Sequence, residues 1–330
     1  MKILFRVDAG GSVGLGHFYR TYGLAKSISL KGHNVHFVHC DSEFWDLQLD
    51  FEFEHTSYSD KECNYKMVAL SNKLHCDFLY VDGILEFPSD LFNGLSVQTK
   101  TVFYQNISPS RHLCDIFILP SIHQTKEFFS SFLKSVAIYQ GLEYVLFNPQ
   151  IKRLESKSLE NLNEVKKISI VTGGSDPKNV LLTLYELLDF NSLQDIEFNF
   201  YVGNNFMFVP LLPFKTPKNV NFLEYDFLSI NESQIVVSTF GVSTYELLAL
   251  GMPVISLGHQ EANNIASEVL SNKTDAFMHL GLIDDISPLQ INKAINDLIK
   301  SRELRKKFNK RALSLLDFDA EQRIISILEL

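Results

Sequence analysis

Arg6-Val7-Asp8-Ala9-Gly10-Gly11-Ser12-Val13-Gly14-Leu15-Gly16-His17-Phe18-Tyr19-Arg20 is the stretch that decides the fold. The residues leading into it, Lys2 to Val7, form a short apolar run that reads as a buried strand. Gly10, Gly11, Gly14 and Gly16 make a loop. Phe18 to Leu30 then carries apolar residues at helical spacing and stops at Lys31-Gly32. Val35 to His39 is the next strand. Strand, Gly-rich loop, helix, strand is the opening of a doubly wound parallel sheet.

The same stretch is the first candidate for chemistry. Residues without a Cβ let a backbone loop lie against a ligand. A helix beginning near His17 presents free N–H groups and partial positive charge to an anion. It is not the dinucleotide fingerprint, because Tyr19 stands where the third glycine is required, and no Gly-Lys-Ser/Thr follows to make a P-loop. His17 can act as a proton acceptor or simply cap the helix. Asp8, at the end of the strand, can orient that histidine, bind a sugar hydroxyl, or serve as a turn former. His17 and Asp8 are the catalytic candidates.

Further along, Phe78–Val81 and Thr101–Tyr104 read as short strands, each ending in a polar loop where open α/β sheets place ligand contacts. Asp115–Leu119 is another strand. Lys152–Lys167 is charged and poor in bulky apolar residues, which makes it the linker candidate. A second unit follows, with strands at Ile168–Val171, Phe198–Val202, Asn221–Leu223, Ile235–Val237 and Pro253–Leu257. The C-terminal stretch Ser287–Leu330 reads as mostly amphipathic helix that packs back on the body. The domains are therefore 1–155, carrying the Gly-His motif, and 165–330, with the last helix available to the N-terminal domain. Two doubly wound domains joined by a linker put a cleft between their facing loops.

Two segments of the second domain stand out. In Thr172-Gly173-Gly174-Ser175-Asp176-Pro177, Asp176 suits an N-cap and Pro177 the first helical position. Capping leaves Gly173, Gly174 and Ser175 unexplained, and these suit contact with a diphosphate or base. In Gly241-Val242-Ser243-Thr244-Tyr245-Glu246, hydroxyls and N–H groups at a helix start can meet phosphate, and Glu246 can accept ribose hydroxyls. The competing reading is a capping box, Ser243-x-x-Glu246. Gly258 to Asn264 then opens another helix, with Asn263 and Asn264 placed to reach a sugar or phosphate.

Composition limits the partners. The chain has 330 residues, of which 45% are hydrophobic, enough for two cores. Its formal net charge is −9, which excludes a global nucleic-acid footprint. Any anionic substrate must be held by local devices. Cys40, Cys63, Cys76 and Cys114 form no CxxC pair and fit no zinc template, so they read as reduced core thiols. The N-terminus reads as no signal peptide, and no run approaches the ~20 apolar residues of a membrane span. A cytoplasmic protein with no metal, no cofactor and no integral membrane association is expected.

Arg6-x-Asp8, Gly14-x-Gly16-His17-x-x-Arg20, His112-x-Cys114-Asp115, Gly141-x-x-Tyr144-x-Leu146, Gly173-Gly174-Ser175-Asp176-Pro177-x-Asn179 and Gly241-x-Ser243-Thr244-x-x-Glu246 with Gly251-x-Pro253 occur in consistent order over about residues 3–270. Together they resemble the pseudaminic-acid-pathway UDP-sugar hydrolases. These are relatives of the spore-coat polysaccharide protein G group and, more distantly, of the MurG-type glycosyltransferases. The resemblance implies a GT-B-like α/β architecture of two Rossmann-like domains, with the nucleotide on the C-terminal domain and the sugar at the N-terminal loops. In that family water displaces UDP from an amino-deoxy sugar without a metal, and the Gly-His histidine, here His17, is the base. On this pattern Gly14, Gly16, Arg20, Asp82, Gln105 and Asn106 are substrate contacts. Gly173, Gly174, Ser175, Gly241, Ser243, Thr244 and Glu246 hold the nucleotide.

Departures cluster on the sugar side. Asp82-Gly83-Ile84 replaces the family's Asp-His-Tyr, Gln105-Asn106 replaces paired aspartates, and Leu146-Phe147 replaces Leu-Arg. The expected function is hydrolysis of a UDP-linked amino or deoxy sugar in surface-glycan biosynthesis. The alternatives are an inverting glycosyltransferase that uses the same donor, and a protein that binds a nucleotide sugar without turnover.

Overall fold

The computed structural model describes residues 1–10, 15–46 and 51–330. The chain divides into two compact units, residues 1–149 with 318–330, and residues 150–317.

Unit 1 contains strands β1 (Lys2–Val7), β2 (Asn34–Cys40), β3 (Glu54–Tyr58), β4 (Phe78–Asp82), β5 (Lys100–Tyr104), β6 (Ile116–Leu119) and β7 (Ala137–Gln140). Its helices in the first part of the chain are α1 (Gly16–Leu30), α2 (Glu43–Asp46) and α3 (Asp60–Leu74). The strands form one sheet in the order β3-β2-β1-β4-β5-β6-β7, and every pairing is parallel. Alternate residues of β1 face opposite cores. Ile3, Phe5 and Val7 pack with Phe18, Leu24, Ala25 and Ile28 of α1, while Leu4 packs with Met67, Val68 and Leu70 of α3. Burial on both faces is why β1 and β4 read as apolar runs without alternation.

Unit 2 contains β8 (Lys167–Val171), α4 (Val180–Leu187), β9 (Glu197–Val202), β10 (Val220–Glu224), α5 (Phe227–Ile230), β11 (Ile235–Thr239), α6 (Val242–Ala249), β12 (Val254–Gly258), α7 (Glu261–Thr274), β13 (Met278–Leu282), α8 (Pro288–Lys300) and α9 (Arg302–Leu315). Its sheet runs β10-β9-β8-β11-β12-β13, again all parallel. The final helix, α10 (Ala320–Ile327), belongs to unit 1, where Ile324, Ile325 and Leu328 join the core beneath α1.

Two local expectations change. Helix α4 starts at Val180, three residues past Pro177; Asp176 still caps it, its carboxylate accepting the N–H groups of Val180 and Leu181 at 2.9 and 2.8 Å. The polar stretch read as a linker is tied into unit 2. Lys157 N donates to Leu250 O at 2.8 Å, Asn309 Nδ2 donates to Lys157 O at 2.9 Å, and Arg305 donates to the carbonyls of Leu162 and Asn163. The stretch is anchored through its backbone carbonyls by buried donors. Among the described residues no helix is long and apolar enough to cross a membrane.

Candidate active site

In each sheet the strand order reverses between two central strands, β1 and β4 in unit 1, β8 and β11 in unit 2. Open parallel sheets bind ligands at the carboxyl ends of such strands.

At the unit 1 switch point, Val7 of β1 is in register with Asp82 of β4. Helix α1 starts at Gly16 and carries His17, Arg20 and Thr21 at i, i+3 and i+4, one helical face. That face converges on Asp82. Its Oδ2 accepts from Arg20 Nε at 2.8 Å and from Thr21 Oγ1 at 2.6 Å. Its Oδ1 accepts from Arg20 Nη2 and lies 2.8 Å from His17 Nδ1. Arg20 Nη1 donates to Gln105 Oε1 at 2.6 Å, and its guanidinium carbon sits 4.8 Å from the centre of the Tyr104 ring.

The Asp82 side chain is fully buried and the Arg20 side chain nearly so, whereas the His17 side chain is 22% exposed. Burial alone would raise the Asp82 carboxyl, but the Arg20 guanidinium, with His17 behind it, holds it well below the usual carboxylate range. The Arg20 guanidinium, penalised by burial, is raised by Asp82. The carboxylate is therefore ionised, and His17 Nδ1 and Arg20 Nη2, themselves 2.7 Å apart, both lie against its Oδ1. Where Nδ1 carries the proton and donates it to Asp82, Nε2 keeps the lone pair, and Nε2 has no partner among the described residues.

Helix α1 has no capping side chain and no acidic residue in its first turn. Gln105 completes the unit 1 site with a φ of 54°, a left-handed conformation unusual for a side-chain-bearing residue.

The carboxylate against His17 is Asp82 and not Asp8. Asp8 is engaged elsewhere, pairing with Arg6 Nη2 at 2.8 Å and accepting from Cys40 N at 2.8 Å. Arg20 and Asp82, expected as substrate contacts, are buried, each with an atom within 2.8 Å of His17 Nδ1. Asn106 is fully buried, its amide donating to Leu85 O and accepting from Ser108 N, so it braces a loop. Gly16 is the exposed first residue of α1, and Gly14 lies outside the described residues. Thr21 was missed by sequence reasoning; its position four residues after His17 was the available signal.

The unit 2 site is assembled from the loops after β8, β11 and β12. Gly173, Gly174 and Gly241 have open space where a side chain would stand. Gly203, after β9, packs so closely on Gly173 and Gly174 that a Cβ would collide with their carbonyls. Helix α6 opens from Gly241 with no acidic residue in its first turn. Thr244 is fully buried and its hydroxyl bridges Gly241 N and Thr239 O, so it shapes the loop. The sequence reading makes Ser243 the cap, but the N-cap is Gly241, which has no side chain; its N–H donates to Thr244 Oγ1 at 3.3 Å. Ser243 Oγ lies 3.1 Å from Tyr225 Oη. Glu246, on the same face, is 4% exposed, and burial together with this carboxylate pushes the Tyr225 hydroxyl up.

At the β12–α7 turn, His259 Nδ1, Asn263 Oδ1 and Asn264 Oδ1 are buried polar atoms without hydrogen-bond partners. Such orphans are rare in folded proteins and are what a polar ligand satisfies. His259 escaped the sequence reading, although Asn263 and Asn264 did not.

Two all-parallel, doubly wound units of this kind make a GT-B fold, the architecture of MurG-type glycosyltransferases. The chain superposes on MurG from Acinetobacter baumannii with a TM-score of 0.69 and 11% identity, covering 99% of each chain. It superposes on the spinosyn rhamnosyltransferase SpnG complexed with thymidine diphosphate with a TM-score of 0.65 and 13% identity, covering 100% of each. In sequence it is 20% identical to the spore coat polysaccharide biosynthesis protein SpsG of Bacillus subtilis, over 100% of this chain and 98% of that protein. It is 24% identical to an uncharacterised protein of Methanocaldococcus jannaschii, over 79% of this chain but only 56% of that protein's length. No family model matches the chain.

Proposed function

We propose that this chain is an enzyme that displaces a nucleoside diphosphate from the anomeric carbon of a nucleotide sugar, with an oxygen nucleophile deprotonated by His17. One observation carries the reading. A partly exposed imidazole has Nδ1 2.8 Å from the buried carboxylate of Asp82, and donation of the Nδ1 proton to that carboxylate leaves Nε2 as the base. As the nucleophile's oxygen attacks the anomeric carbon, its proton passes to Nε2 and the carbon–oxygen bond to the diphosphate breaks, with inversion. The resulting imidazolium is stabilised by Asp82. Positioned base catalysis is worth about 10²–10⁴ in rate.

Unit 2 holds the leaving group in this reading. The first turn of α6 with Ser243, and the Gly173-Gly174-Ser175 loop, take the diphosphate. Glu246 takes the ribose, and Asn263 and Asn264 offer their unpartnered oxygens to the sugar. Local devices of this kind are needed because the chain's net charge of −9 repels an anionic substrate at long range.

The likeness of the fold to glycosyltransferases favours an acceptor hydroxyl as the nucleophile. Water is the second reading. It is favoured by the motif resemblance to UDP-sugar hydrolases of surface-glycan synthesis over residues 3–270. Incubation with a panel of UDP-, dTDP- and CMP-sugars, with and without acceptor sugars, separates the two. Nucleotide release that requires acceptor supports transfer, and release in water alone supports hydrolysis. Release from no donor, or full turnover by His17→Ala, defeats the reading.

A further inference from the structure

The crossover from β9 to β10 has no α-helix. Most of it is the stretch Phe206-Met207-Phe208-Val209-Pro210-Leu211-Leu212-Pro213-Phe214-Lys215-Thr216-Pro217-Lys218. Phe206 is buried in the core of unit 2, and Phe208 and Leu212 pack against that core. The segment is thus held from within. Its other large side chains are exposed: Met207 by 70%, Val209 by 53%, Leu211 by 62% and Phe214 by 109%.

Exposed apolar side chains scattered singly need no explanation. Four within eight residues, on a segment anchored to the core, mark a docking surface.

Its charge is as distinctive. Lys215 and Lys218 are exposed and form no ion pair among the described residues. No acidic residue occurs between Glu197 and Glu224, so this stretch is positive in a chain whose net charge is −9.

We propose that this segment docks the protein peripherally on an anionic lipid bilayer, with Met207, Val209, Leu211 and Phe214 entering the headgroup–acyl boundary and Lys215 and Lys218 meeting lipid phosphates. An apolar insertion beside a basic flank is the combination that binds such surfaces, and each part is weak alone. A second copy of the chain fits less well. A two-fold contact through this patch sets lysines against lysines with no acid in the segment to pair them. Strand pairing is opposed by Pro210, Pro213 and Pro217, which lack the N–H donor. The inference stands independently of the reaction proposed above. The segment does begin at the candidate nucleotide loop, since Asn205 N donates to Gly174 O at 2.9 Å.

The test is co-sedimentation of the full chain with phosphatidylcholine vesicles and with vesicles containing about one-third phosphatidylglycerol. Binding to the anionic vesicles alone, weakened by salt at about 0.5 M, is expected. The double variant Leu211→Ser/Phe214→Ser should lower partitioning roughly tenfold or more, and Lys215→Glu/Lys218→Glu should lower it as well. Circular dichroism melts confirm that each variant folds. No partitioning onto anionic vesicles, equal binding to neutral vesicles, or undiminished binding by both variants overturns the proposal. So does a solution dimer that the Leu211/Phe214 variant abolishes while vesicle binding is absent.

Discussion

His17 Nδ1 lies 2.8 Å from Asp82 Oδ1, although 65 positions separate them in the chain. The contact exists because β1 and β4 are neighbours in the sheet and α1 packs over β1. In-register pairing of Val7 with Asp82 brings the carboxylate beneath the first turn of the helix. The imidazole is thereby held against a charge that water does not reach.

Asp82→Asn tests that orientation. The amide cannot hold the Nδ1 proton as a carboxylate does and leaves the Arg20 guanidinium buried without its counter-charge. Turnover should fall about 10²–10⁴-fold, with a smaller effect on KM. Breaking the buried pair should also destabilise the fold by roughly 3–5 kcal/mol. Steady-state kinetics and urea melts separate the two effects. Unaltered turnover in a folded Asp82→Asn protein would show that Asp82 does not position the base.

Gly203→Ala tests the unit 2 loop without touching a candidate ligand contact. The added methyl would overlap the carbonyls of Gly173 and Gly174, so that loop must shift. Nucleotide affinity measured by calorimetry should fall roughly tenfold or more, about 1.4 kcal/mol, with His17 chemistry unaffected once nucleotide is saturating.

Arg305 is a stability prediction. It is 2% exposed and pairs with no carboxylate among the described residues. Its guanidinium donates instead to the carbonyls of Leu162, Asn163, Leu298 and Ile299, joining residues 162–163 to the end of α8. Arg305→Met should cost roughly 2–4 kcal/mol by stranding buried acceptors. The measurement is a shift of the urea midpoint without a change in slope.

His39 gives a pH dependence with a definite sign. It is fully buried and stacked on Trp45 at 3.8 Å, its Nδ1 donating to Cys40 O and its Nε2 accepting from His55 Nδ1. Burial lowers it to about 4, with the Cys40 carbonyl opposing and His55 adding to the effect. The unfolded chain takes up a proton near the ordinary value of about 6.5, which the folded chain refuses until about 4. Stability is therefore full above about 6.5 and is lost as pH falls toward 4, by up to about 3 kcal/mol. Urea melts from about pH 7.5 to about pH 4.5 should show this slope in the native chain and a flatter one in His39→Phe. Equal slopes would remove His39 as the cause.

Most of the fold was legible because its central strands are covered on both faces. β1, β2, β4, β5, β8, β9, β11 and β12 appear in the sequence as apolar runs, and each is followed by a polar or Gly-rich loop. The strands missed were β3, β7 and β13, all at sheet edges; β3 and β7 expose much of their length, and β13 is only partly buried. An edge strand is held by one neighbour's hydrogen bonds more than by burial, so its side chains carry little apolar signal.

The sequence alone determined the two-unit parallel architecture, the helix that begins near His17, and the helix start that follows Gly241 in unit 2. Local spacing and backbone chemistry are written in neighbouring residues. Only the tertiary structure decided which carboxylate lies against His17, that Arg20 and Asp82 are buried beside it while Asn106 braces a loop, and that Arg305 and Asn309 tie down the polar stretch at 157–163. Those outcomes depend on strand order and register, which bring together residues tens to more than a hundred positions apart, and no local pattern specifies which of several acids or amides will be neighbours.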